Sequence, residues 1–177
     1  GEVAVDEEEV AARTAAVFAT LGEALTQVAQ ARGDEGARLA QVISQQLDEI
    51  EALVDQVERS PSRKVDVVKQ RLTELVARLV ETGQALDPVR LHQEAVILAT
   101  RSDVEEELKR LRSHVAAARD LLRSGGVIGR KLDFLAQEFN REANTLCSKS
   151  SDLELTRIGL ELENLIGQFR EQIQNIE

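Results

Sequence analysis

Apolar residues recur at intervals of three and four along almost the whole chain, and few helix-breaking residues interrupt them. Only 2 prolines occur among 177 residues, and no strand-length alternation of apolar and polar residues competes with this pattern. Such spacing places apolar side chains on one face of a helix. The sequence therefore predicts an all-α fold, with long antiparallel helices in a hairpin or bundle and coiled-coil-like packing.

Three points break the helical pattern firmly: Pro61, Pro88 and the pair Gly125-Gly126. Proline lacks a backbone N–H and disfavours a helical residue before it, and paired glycines favour a turn. We predict helices over about 6–32, 34–58, 63–84, 88–123 and 128–147, and a last helix after residue 152.

Two of these boundaries stay open at the level of sequence. Gly33-Asp34 either ends the first helix or causes only a local distortion within one continuous helix. The capping sequence Ser102–Glu105 either starts a new helix or lies inside a helix that runs from 88 to 123. Ser151 with Glu154 forms another capping box. We divide the chain into a helical arm, residues 1–86, and a C-terminal helical domain, residues 87–177.

The composition and charge of the chain restrict its partners and its environment. The net charge is −10, and residues 1–100 hold 10 Lys and Arg against 18 Asp and Glu, whereas residues 101–177 hold 12 against 14. Mixed charge in the second part suits a site that uses a metal and a phosphate. The single cysteine, Cys147, excludes an intrachain disulfide and fits a reducing cytoplasm. No apolar run is long enough to predict a membrane span.

One polar stripe stands out on the helix before the glycine pair. Asp103, Glu107, Arg110 and His114 have helical offsets of 0, 4, 7 and 11, so they share one face over ~16 Å. Carboxylates suit Mg²⁺ or Mn²⁺, imidazole favours Mn²⁺, and guanidinium binds phosphate. Glu106 lies on a neighbouring stripe. An exposed helix with ion pairs one turn apart, such as Glu106 to Arg110, explains the same spacing equally simply.

The helix after the glycine pair carries a second polar set. Its apolar stripe comprises Leu132, Leu135, Phe139, Ala143 and Leu146. Beside it lie two polar rows. One row comprises Asp133, Gln137, Asn140, Arg141 and Asn144, and the other comprises Glu138 and Glu142. Asp and Asn are poor helix formers, so their presence favours a functional role over an ordinary solvent-exposed helix face. A buried polar network that locks two helices together is the structural alternative.

A family resemblance rests on these same segments. The stretches GRKLDFLAQEFNREANTLCSKSSD from residue 129, DVEEELKRLRSH from residue 103 and the closing EQIQNIE resemble the C-terminal half of the YicC/YloC family. The similarity extends upstream through ARGDEGARLAQVISQQLDEIE. These bacterial proteins were first called stress-induced and are described as metal-dependent endoribonucleases. Their chains open with an α+β region, beginning like SMTGFGR, that has no counterpart here, so we expect this sequence to be a C-terminal fragment.

The resemblance implies a reaction and assigns roles within it. The expected reaction is hydrolysis of an RNA phosphodiester with Mn²⁺ or Mg²⁺ bound. The resemblance implies catalytic roles for His114, Glu107 and Glu106. The candidate metal ligands are Asp103, Glu106 and Glu107, with Asp133, Glu138 and Glu142 as a second set. The candidate RNA-binding residues are Arg110, Arg130, Lys131, Asn140, Arg141, Asn144 and Lys149.

The rival hypothesis is a helical oligomerisation or interaction module without catalytic activity of its own. Apolar residues of the last helix, such as Leu155, Leu162 and Phe169, have few expected partners inside one chain, so we expect a homo-oligomer. The surroundings of His114 discriminate between the two hypotheses, because carboxylates beside it favour catalysis.

Overall fold

Four long helices make up most of the part of the chain that the structure, a computed structural model, describes. That part comprises residues 6–61, 103–150 and 152–176, together with Val67, Gln70, Thr73, Glu74, Val76 and Ala77. The helices are α1 (Glu7–Arg59), α2 (Glu105–Ser124), α3 (Gly129–Lys149) and α4 (Leu153–Ile173). The described residues contain no strand, and the predicted all-α fold is confirmed.

Local sequence explains where these helices begin and end. α1 begins beside Asp6, whose carboxylate accepts a hydrogen bond from the backbone N–H of Glu8, and ends two residues before Pro61. Gly125 and Gly126 take positive φ angles of 63° and 79° between α2 and α3, a conformation that glycine adopts without strain. The predicted breaks at Pro61 and at the glycine pair are therefore confirmed, and α1 continues without a break through Gly33-Asp34.

The structure decides the helix start that was left open near residues 102–105 and corrects the cap of the last helix. α2 starts at Glu105, with the carboxylate of Asp103 accepting from the Glu105 N–H, and residues 103 and 104 are not helical. α4 is capped by Asp152, whose carboxylate accepts from the N–H groups of Glu154 and Leu155. Aspartate is a strong N-cap residue, so it takes the role predicted for Ser151. Ser151, Ser102, Pro88 and the predicted domain boundary at 86/87 lie outside the described residues.

Contacts divide the chain into two units, Gly1–Gln41 and Val42–Glu177. Within the first unit, the described residues belong to α1, and its apolar side chains at Val10, Val17, Leu21, Leu25 and Val28 are about half exposed or more. The predicted amphipathic face is thus present, and within the described part of the chain its apolar side chains are exposed.

The second unit holds the core. Buried side chains come from the end of α1 at intervals of four and three, namely Ile43, Leu47, Ile50, Val54 and Val57. They join the buried faces of α2, α3 and α4 in one hydrophobic cluster. Leu155, Leu162 and Phe169 are 7%, 0% and 0% exposed. The premise that these three lack partners inside the chain is therefore wrong.

Contacts between helices show that neighbours run antiparallel. Arg112 contacts Asp55 and Arg119 contacts Asp48, so rising numbers on α2 meet falling numbers on α1. The pairs Glu107–Lys149 and Arg110–Glu142 show the same order for α2 and α3. Cys147 beside Gly159 and Asp133 beside Arg170 show it for α3 and α4. No helix in the described ranges is long and apolar enough to cross a membrane.

Candidate functional site

The hairpin of α2 and α3 brings the two predicted polar sets against each other. From the open end toward the glycine turn, Lys149 meets Glu107, then Glu142 meets Arg110, and then His114 meets Phe139. Apolar side chains beneath, such as Leu111 and Leu146, are fully buried and hold both backbones in place. The polar stripe of α2 therefore lies along a seam between two helices.

His114, Glu138 and Glu142 form a cluster with the donor set of a metal site. One ring nitrogen of His114 and one carboxylate oxygen from each glutamate all lie within 4.8 Å of one another. Two Mg–O bonds of ~2.1 Å span ~4.2 Å across a cation, so small movements bring all three donors into range. Imidazole with two carboxylates suits Mn²⁺, and also Mg²⁺. Among the described residues, this is the only such group found.

The burial of the cluster is uneven. Glu142 is 2% exposed, whereas His114 and Glu138 are half-buried. Nε2 of His114 is buried and has no hydrogen-bond partner within the described part of the chain. The ring packs edge-to-face on Phe139, with centroids 5.8 Å apart. A buried polar atom without a partner is costly, and a cation bound there would remove that cost. The residues present therefore fit a divalent metal.

Arg110 connects this cluster to the solvent. Its Nη1 donates to Glu142 Oε1 at 3.2 Å, and its Nη2 donates to the exposed carboxylate of Glu106. The hydrogen bond to Glu142 raises the pKa of the Arg110 guanidinium above its ordinary value, and the hydrogen bond to Glu106 contributes a smaller rise. Arg110, Glu106 and Glu142 thus form a charged chain that reaches from a buried carboxylate to the surface.

Glu107 has a different set of partners. Nζ of Lys149 donates to Oε1 and Oε2 of Glu107 at 2.9 and 3.1 Å, and to the backbone carbonyl of Asp103 at 2.9 Å. An ammonium group has three donors, and all three are used here. Glu107 is 6% exposed, so this pair is largely withdrawn from water. It joins the beginning of α2 to the end of α3.

The other predicted site residues are not members of the cluster. The carboxylate of Asp133 accepts from Gln137 at 2.9 Å and pairs with Arg170 of α4 at 3.5 Å. The remaining members of the predicted RNA-binding and metal sets are exposed, namely Asp103, Arg130, Lys131, Asn140, Arg141 and Asn144.

The sequence-based register was right, and the partner of His114 was not. Folding back at Gly125-Gly126 predicts that His114 faces residues 136–140, with Gln137 or Asn140 orienting its ring. The structure places Glu138 and Glu142 at the ring, and Gln137 donates to Asp133 instead. The same register calculation, applied to carboxylates rather than amides, would have found the cluster.

Comparisons with known proteins agree on one family. The family model for the C-terminal region of YicC-like endoribonucleases matches residues 56–177. A protein of Haemophilus influenzae named "Probable endoribonuclease YicC" is 41% identical over 177 residues, which is 100% of this chain and 61% of that protein. A protein of the same name from Clostridioides difficile is 36% identical over 155 residues, 88% of this chain and 53% of that protein. The chain thus spans somewhat more than half the length of these relatives.

Proposed function

Because the chain belongs to the YicC-like endoribonuclease family, we propose that it carries the C-terminal, helical part of a metal-dependent endoribonuclease. The reaction is hydrolysis of phosphodiester bonds in RNA. The observation that carries the metal dependence is the cluster of His114, Glu138 and Glu142, with its buried, unpartnered Nε2. The lone thiol fits a reducing cytoplasm, which is where we place the reaction.

Each side chain of the seam has a separate task in this proposal. His114, Glu138 and Glu142 would hold Mn²⁺ or Mg²⁺, and the bound cation would activate water and offset charge on the phosphate. Glu106 is exposed, pairs with Arg110 and would accept a proton. Arg110 holds a phosphate oxygen.

This assignment moves the metal away from the first set that the family resemblance favoured, Asp103, Glu106 and Glu107. The reason is the partner of Glu107, since Lys149 contacts both of its carboxylate oxygens. We assign Glu107 and Lys149 to holding α2 against α3. The exposed cations and amides of α3 remain candidates for contacts to the RNA backbone, namely Arg130, Lys131, Asn140, Arg141 and Asn144.

The test is Mn²⁺ binding by calorimetry together with cleavage of a labelled RNA, with Mn²⁺ and with chelator. Glu142→Gln keeps the shape of the side chain and removes its charge, so we expect both binding and cleavage to be lost. Glu161→Gln is the matched control, because Glu161 is exposed on α4 and pairs with Arg157. Cleavage that persists in chelator, or unchanged Mn²⁺ binding by Glu142→Gln, would contradict the proposal.

A homo-oligomer is a second part of the proposal, and a different surface supports it. The exposed apolar side chains at the beginning of α1, such as Val17, Phe18 and Leu25, are 61%, 68% and 62% exposed. Apolar side chains at regular helical spacing are a common interface between helices of identical chains. We expect light scattering to give a mass above that of one chain, and Leu21→Lys with Leu25→Lys to lower it. A monomeric wild-type chain at tens of micromolar would refute this part alone.

A further inference from the structure

Arg110 sits between a buried and an exposed carboxylate. The side chain of Glu142 is 3% exposed and that of Glu106 is 69% exposed, while that of Arg110 itself is 49% exposed. The two ends of one guanidinium fork contact the two carboxylates. Arg110 is therefore the nearest cation to a carboxylate that has lost almost all of its hydration.

A buried carboxylate needs a positive partner, but it does not need two. The guanidinium of Arg110 meets this need for Glu142, and a divalent cation held by His114, Glu138 and Glu142 would meet it as well. With both in place, two positive groups crowd one carboxylate at short range, which is unfavourable. Arg110 and the metal therefore compete for Glu142, and a negative group that enters between them relieves this competition.

We propose that Arg110 is an internal counter-ion that competes with the divalent cation for Glu142, so that metal binding frees the guanidinium to hold an RNA phosphate. This inference rests on the proposed function. Glu106 keeps one end of the fork near the site, and the flexible, half-exposed stem lets the other end turn outward. The freed Nη1 can then donate to a phosphate oxygen. Metal and phosphate then bind cooperatively, with Arg110 as the positioning residue that couples them.

The first measurement is the affinity of the chain for Mn²⁺ alone, by calorimetry. We expect Arg110→Gln to bind Mn²⁺ about fivefold or more tightly than wild type, because the competing charge is gone. Arg110→Lys keeps the charge and should stay near wild type. Arg157→Gln is the control, because Arg157 pairs with a glutamate one turn away on α4. Circular dichroism checks that each variant is folded. Equal or weaker Mn²⁺ binding by Arg110→Gln would overturn the inference, because Arg110 would then merely hold Glu142 in position.

The second measurement is binding of a short 2′-O-methyl RNA oligonucleotide with and without Mn²⁺. We expect Mn²⁺ to strengthen binding to wild type by about fivefold or more, a typical coupling between sites, and to do so much less for Arg110→Gln. An equal Mn²⁺ effect in both proteins would refute the coupling.

The two proposals fail in different ways. If wild type does not bind Mn²⁺, or if Glu142→Gln binds it normally, the metal site itself is wrong and this inference falls with it. If wild type and Glu142→Gln behave as expected and only Arg110→Gln fails to tighten Mn²⁺ binding, the metal site stands and the competition is refuted.

Discussion

Removal of the ammonium group of Lys149 should destabilise the fold strongly, because it leaves a buried carboxylate without a partner. Glu107 is 6% exposed and accepts two hydrogen bonds from Lys149. In Lys149→Met the aliphatic stem is kept and these bonds are lost, together with the bond to the Asp103 carbonyl. The perturbation is therefore one stranded charge rather than a packing defect.

The size of the effect follows from burial. A charge left unpaired in the interior costs about 3–5 kcal/mol, and the slight exposure of Glu107 places the expected loss near the lower value, about 3 kcal/mol. For a chain of this length that corresponds to a fall in melting temperature of roughly 6–12 °C. Glu107→Gln should cost less, about 1–2 kcal/mol, because the side chain of Lys149 is 28% exposed and its ammonium can turn to water.

The assay is urea denaturation followed by far-UV circular dichroism on both single variants and the double variant. Glu107→Gln should relieve much of the cost of Lys149→Met, so the two changes should be clearly non-additive. Lys109→Met is the matched control, since Lys109 is exposed and pairs with Glu105 one turn away; its cost should be under about 0.5 kcal/mol. A loss below about 1 kcal/mol for Lys149→Met, or a double variant equal to the sum of its parts, would refute the reasoning.

Three further predictions concern other parts of the fold and site. Gly159→Ala should lower stability by about 1–3 kcal/mol, because its new methyl group meets the sulfur of Cys147. Gly167→Ala has open space around the new methyl group and should raise stability by up to about 1 kcal/mol. Equal shifts of the urea midpoint in the two variants would contradict the close contact at Gly159. His114→Ala should slow RNA cleavage about 10²-fold or more, because it removes a donor of the proposed metal site; normal cleavage would mean that this histidine only packs. Burial raises the pKa of the Cys147 thiol, and a smaller contribution from a hydrogen bond with Glu163 brings it to about 11. Alkylation by iodoacetamide should therefore be slow near neutral pH and accelerate as the pH approaches that value. Rapid labelling of the folded chain at neutral pH would contradict this prediction.

The sequence predicted helices and their shared faces well, because both depend on local spacing. Leu132, Phe139 and Leu146 are buried as the stripe of α3 required. The same reasoning described a face on α1 through Val17 and Leu25, yet those residues are exposed. Periodicity shows which side chains share a face, whereas what covers that face depends on contacts that spacing does not encode.

The candidate site was predicted in its parts but not in its pairings. The position of Gly125-Gly126 gave the register that brings His114 opposite the middle of α3. Which carboxylate meets which cation depends on side-chain length and hydration: Lys149 reaches across to Glu107, and Arg110 reaches Glu142. Spacing along one helix could not distinguish the candidate metal cluster from the ion pair beside it.

The ion pairs between α1 and α2 repeat every seven residues. Arg112 pairs with Asp55 and Glu58, and Arg119 pairs with Asp48 and Glu51, so both arginines meet the same pattern of charge. A slide of α1 along α2 by seven residues, ~10.5 Å, would keep the ion pairs of one arginine and break those of the other. The buried residues of α1 from Ile43 to Val57 follow the same period.

The repeat therefore makes a shifted alignment cost two of these four ion pairs rather than all four. The hydrogen bond from the Ser60 hydroxyl to Glu154, at 2.9 Å, lies just past the end of α1 and outside this repeat. It is a contact that distinguishes the observed alignment from its shifted copy. This single hydrogen bond at the end of the helix thus adds to the ion pairs and apolar contacts that favour the observed alignment over the shifted one.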